Sequence, residues 1–152
     1  MSSDEPLGVP LDVDVVFRLI TLESVDYDLQ TPSPRLHFQE IEGDRRTFTM
    51  PLGVPEATAL SLALAGVPAR RPSSSELATT LLTTLGVDVI AVRIVRYDAG
   101  VFFAELDLMT PKGRRVIDCR PSDAFAIGLR HPSGAPFLID ETILQQLAEK
   151  AD

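Results

Sequence analysis

One stretch concentrates the groups that could do chemistry: Asp118-Cys119-Arg120-Pro121-Ser122-Asp123-Ala124-Phe125-Ala126-Ile127-Gly128-Leu129-Arg130. Metal-assisted hydrolysis of a phosphodiester needs hard oxygen ligands, usually two or more acids converging on Mg²⁺ or Mn²⁺, which polarises the phosphate and activates water. Asp118 and Asp123 suit that work, as metal ligands or as the base, if the turn at Pro121 brings them together. Arg120 and Arg130 are candidates to hold the phosphate, because a guanidinium grips two oxygens at once. The same residues also suit plain architecture. Asp123 in the first turn of a helix complements its dipole, Ser122 can cap it, and Arg120 can pair with Asp118 to lock the turn. Spacing alone favours architecture, since structural ion pairs gather at such turns too.

Other chemistry has little to work with. There is no phosphate-binding glycine loop, no nucleophile elbow, no paired-cysteine metal site and no His-Glu-x-x-His. The two histidines are His37, in a strand pattern, and His131, at a helix end where the dipole explains it. Glu56 opens a helix and could point toward the Asp118 to Arg130 stretch. Glu105 and Asp107 share one strand face, where solvent exposure is expected. Cys119 alternates with Asp118, which predicts a buried thiol rather than a nucleophile.

Composition narrows the class. At 152 residues, with 45% hydrophobic and 24% charged content, the chain suits one soluble domain. No apolar run approaches the roughly 18 residues that span a bilayer. The acidic start Met1-Ser2-Ser3-Asp4-Glu5-Pro6 is unlike a signal peptide, so a cytoplasmic protein without membrane contact is expected. A net charge of −8 opposes non-specific nucleic-acid binding, which draws on cationic neutralisation of phosphates. The positive charge is nevertheless clustered, at Arg45-Arg46, Arg70-Arg71 and Lys112-Gly113-Arg114-Arg115. All but Lys112 and Lys150 of the 14 cations are arginine.

The elements that must position these residues read as follows. Residues 1–10 form a loose tail and 11–150 the domain. Val13 to Leu22 alternates as a strand, Asp26 to Pro34 is a loop, and Arg35 to Ile41 with Arg46 to Met50 makes a hairpin turning near Gly43. Pro55 and Glu56 start a helix to about Ala65 with Ala57, Leu60 and Leu64 buried. Ser73 and Glu76 form a capping box for a second helix, with Leu77, Leu81 and Leu85 as its stripe. Val87 to Val95, Val101 to Met109 and Arg114 to Cys119 form a meander. The helix to Arg130, a strand over Pro136 to Ile139 and a helix through about Glu149, with Ile143, Leu144 and Leu147 inward, complete the order βββααβββαβα. Grouped strands rather than strict alternation predict an α+β fold, a mostly antiparallel sheet with about four helices.

These residues resemble the signature of the bifunctional nuclease domain family. Pro55-Glu56-Ala57 through Ala63-Leu64-Ala65-Gly66 resembles its first helix, Arg70-Arg71-Pro72 through Leu77 its second, and Ala135-Pro136-Phe137 its last strand; the likeness spans about Val13 to Leu147. The resemblance implies an α+β domain that self-associates and, in some members, degrades DNA and RNA with little sequence preference. Its site would comprise Asp118, Asp123 and Glu56 as catalytic residues, Asp118 and Asp123 holding Mg²⁺ or Mn²⁺, and Arg120, Ser122 and Arg130 on substrate. Two further readings compete: a non-catalytic binding or regulatory module, which the net charge favours, and a small-molecule phosphate binder.

Overall fold

Apolar and polar residues alternate along most of the strand segments, so one sheet face can be packed while the other stays polar or wet. In the computed structural model, which describes residues 15–26 and 33–151, β1 (Phe17–Asp26), β2 (Arg35–Glu40) and β3 (Thr47–Pro51) lead to α1 (Val54–Ala65) and α2 (Ser74–Thr84). Then come β4 (Asp88–Asp98), β5 (Val101–Thr110), β6 (Gly113–Cys119), α3 (Pro121–Arg130), β7 (Phe137–Asp140) and α4 (Glu141–Ala151). The expected order βββααβββαβα holds, and the fold is a single α+β domain with four helices. The expected tail at residues 1–10 and most of the Asp26 to Pro34 loop lie outside the described residues. β1 runs on to Asp26, past the expected end at Leu22, because Val25 and Asp26 pair with Leu36 and Arg35 beyond a bulge.

The seven strands form one sheet in the order β3-β2-β1-β7-β4-β5-β6. β7 joins the two meanders, antiparallel to β1 and parallel to β4, and that is the one parallel pairing among the described residues. Pairs such as Leu22 with Phe38, Phe38 with Phe48 and Ile94 with Ile139 put the large apolar side chains on one face. They form one core with Leu60 of α1, Phe125 of α3 and Leu144 of α4. Phe125 lies 4.9 Å, centroid to centroid, from both Phe38 and Phe137. α3 comes so close to the sheet that a Cβ at Gly128 would sit 2.8 Å from Phe137 and from Val92, so only glycine fits there without movement.

Three expectations about burial fail for physical reasons. Leu77, Leu81 and Leu85 do not face the core; they are 55%, 52% and 66% exposed, and α2 instead packs through Thr79, Ala78 and Leu82. Leu64 is likewise exposed, and Ala63 takes its place against the core. Asp107, expected at the solvent, is 4% exposed because Arg93 and Arg114 fold over it. The capping box of α2 forms as expected, Ser73 accepting from the Glu76 N–H and Glu76 from the Ser73 N–H. No helix among the described residues is long and apolar enough to cross a membrane.

Candidate functional site

The turn after β6 fixes the site's geometry. Pro121 occupies the first helical position of α3, where its missing N–H costs nothing and its fixed φ starts the helix. Arg120 is therefore the N-cap, and its guanidinium reaches forward: Nε donates to Asp123 Oδ2 at 2.9 Å and Nη2 to Oδ1 at 3.1 Å. Its Nη1 also lies 3.7 Å from Glu56 Oε2, in the first turn of α1. One guanidinium thus joins the carboxylates that open two different helices. The partner expected for Arg120 was Asp118; the helix geometry supplies Asp123 instead, three residues on, where both oxygens meet the fork.

Both helices start alike. α1 follows Gly53 and carries Pro55 in its first turn, and neither α1 nor α3 has a side-chain cap among the described residues. A Cβ on Gly53 would collide with the Glu56 carboxylate, so the glycine leaves room for that side chain to fold back over the helix start. Between the two starts lies a cavity of about 310 Å³. Glu56, Arg120 and Ser122 line its polar side, and Met50, Leu52 and Phe102 its apolar side. Ser122 therefore lines the cavity rather than capping the helix.

The remaining expected site residues go elsewhere. Asp118 pairs in register with Glu105, on the sheet face opposite the core, while Cys119 pairs with Ala104 on the core side. Glu56, Asp118 and Asp123 do not gather into a metal-binding group of three among the described residues. Arg130 lies two turns along α3, where Nη2 donates to the Val67 carbonyl at 2.9 Å and Nη1 stands 3.9 Å from Glu76. That arginine braces the loop before α2. Burial pushes the Cys119 thiol up to about 11, helped by the charges of Asp123, Asp118 and Glu105, which disfavours the thiolate and any nucleophilic role.

Of the residues brought together here, the sequence reading named Glu56, Arg120, Ser122 and Asp123 but not the apolar lining. Met50, Leu52 and Phe102 come from three separate segments, and their patterns are those of ordinary core residues. The one available signal was Gly53 ahead of Pro55 and Glu56, an uncapped helix start with room above it.

The bifunctional nuclease domain matches residues 36–152. The chain belongs to that family. It also resembles two mycobacterial relatives, Uncharacterized protein MT1877 from Mycobacterium tuberculosis (strain CDC 1551 / Oshkosh) and Uncharacterized protein Rv1829 from Mycobacterium tuberculosis (strain ATCC 25618 / H37Rv). Each is 37% identical over 113 residues, which is 74% of this chain and 65% of the relative's length. The matched residues 36–152 take in every residue of the cavity and the Glu56-Arg120-Asp123 cluster.

Proposed function

We propose that this bifunctional nuclease family domain hydrolyses phosphodiesters in DNA and RNA, at the cleft between the starts of α1 and α3. The observation behind this reading is Arg120, a guanidinium 65% exposed, set between two carboxylates and two uncapped helix N-termini. Each helix start adds partial positive charge beside Arg120, which offsets part of the charge of Glu56 and Asp123. In this reading Arg120 holds the phosphate, Ser122 donates a hydrogen bond to it, and Asp123 or Glu56 takes the proton from the attacking water.

Glu56 and Asp123 also fit the Mg²⁺ or Mn²⁺ that the family resemblance implies. Both offer hard carboxylate oxygens, and their present counter-charge is an exposed guanidinium that a dication could displace. Bound there, the metal would polarise the phosphate and acidify a water molecule. Asp118, on the far face of β6, stands outside this donor set, and Arg130 is committed to Val67 and Glu76.

A second reading, a non-catalytic binding or regulatory module, draws on the same ion pair, because Arg120 occupies both Asp123 oxygens and neutralises the turn. Cleavage of single- and double-stranded DNA and of RNA, with Mg²⁺, Mn²⁺ or EDTA, separates the two. Hydrolysis predicts metal-dependent cleavage that falls about 100-fold or more in folded Arg120→Ala, Asp123→Asn or Glu56→Gln proteins, the scale on which a positioned charge counts. Equal cleavage by wild type and folded variants overturns it. Self-association and a cytoplasmic setting belong to the same proposal, with the exposed leucine face of α2 as the surface offered to a second copy.

A further inference from the structure

We infer that the cavity beside Arg120 receives one unstacked nucleobase of a strand, so that the site selects single-stranded over double-stranded nucleic acid. This rests on the reading of Arg120 as the phosphate contact and adds what lies next to that phosphate. Met50, Leu52 and Phe102 give the cavity apolar lining, and its charged lining residues are Arg120 and Glu56. A ligand that matches must offer an anion to Arg120 and a flat, mostly apolar body to the apolar lining. A nucleotide unit has that shape.

At about 310 Å³ the cavity stands at the small end of ligand sites, which run from about 300 to 1,000 Å³, and has room for a nucleobase beside the phosphate contact. Phe102 is braced from the β4 side by Tyr97, with ring centroids 4.4 Å apart, which holds the ring in place for stacking. Gly53 and Gly100 line the cavity without side chains. Taking a base from a duplex costs unpairing and unstacking that a single strand has already largely lost. Selection for single strands follows from that difference, without base-specific contacts.

The test is equilibrium binding, read by fluorescence anisotropy, of a short labelled oligothymidylate and of a blunt duplex of equal length, in EDTA and again with Ca²⁺ replacing Mg²⁺. The wild-type protein should bind the single strand about tenfold or more tightly than the duplex. Phe102→Ala should weaken single-strand binding about 5- to 100-fold, the range for losing one base–aromatic stack, and Phe102→Tyr should restore it. Both variants are first checked for a native melting transition. If folded Phe102→Ala binds the single strand like wild type while Arg120→Ala weakens both ligands, the base pocket is wrong and the phosphate reading stands. If Arg120→Ala changes neither, or wild type binds neither, both fall. Equal displacement by free thymidine monophosphate, per nucleotide, would overturn the assignment to a strand.

Discussion

At the scale of single residues, Asp107 shows how a charge survives burial. Arg93 gives it two hydrogen bonds, of 3.0 and 2.6 Å, and Arg114 two more, of 2.7 and 2.8 Å, so its carboxylate is saturated on the sheet face opposite the core. Asp107→Ala should therefore destabilise the domain by about 3 kcal/mol, measured by urea denaturation, since breaking a buried pair strands its cationic partner. A second acidic cluster makes stability depend on pH. Hydrogen bonds from Arg46, then from Arg18, hold the Glu141 carboxyl down at about 2, and Arg46 lowers that of buried Glu40. Carboxylates depressed on folding stabilise the native state above their ordinary value of 4.5 and lose that contribution as pH falls toward 2. Melting temperature should fall steeply across that window, and Glu141→Gln should flatten the fall.

At the scale of elements, α2 separates pattern from environment. Its leucines recur every fourth residue, which on periodicity alone marks a buried stripe. Yet the helix leans on α3, packs through Ala78, Thr79 and Leu82, and turns the stripe outward. Leu81→Ser should accordingly shift stability by no more than about 0.5 kcal/mol, as exposed substitutions do. Leu60→Ala, fully buried in α1, should cost about 2 to 5 kcal/mol in the same denaturation experiment. The capping box, by contrast, is legible in the sequence, because Ser73 and Glu76 act on backbone only three residues away. The alternation of β5 is equally legible. What alternation could not show was that Arg93 and Arg114 would roof Asp107, since those residues meet it only through the register of β4 and β6.

At the scale of the whole molecule, the four helices among the described residues share one face of the sheet, and the other face holds a groove of about 670 Å³ where Phe17, Val95 and Leu138 stand beside Arg93, Glu105, Arg114 and Asp140. On the helical side the leucines of α2 form an exposed apolar surface. An 11-residue helix with Glu76 as its one charged side chain sets little repulsion against a second copy of a chain carrying −8. If the proposed self-association uses this face, Leu81→Glu should move the sedimentation coefficient toward that of a monomer. An unchanged sedimentation profile would remove α2 from the interface.

By itself the sequence determined the element order, the α+β class, the hairpin at Gly43, the capping box, and Arg120, Ser122 and Asp123 as residues of one helix start. Each of these depends on residues near one another in the chain, so local backbone physics suffices. Tertiary structure decided the rest. β7 entering between β1 and β4, Glu56 meeting Arg120, Asp118 turning to the opposite face and Phe102 walling the cavity all join distant segments. Those contacts depend on which face of each element the common core has already claimed, and no local pattern carries that information.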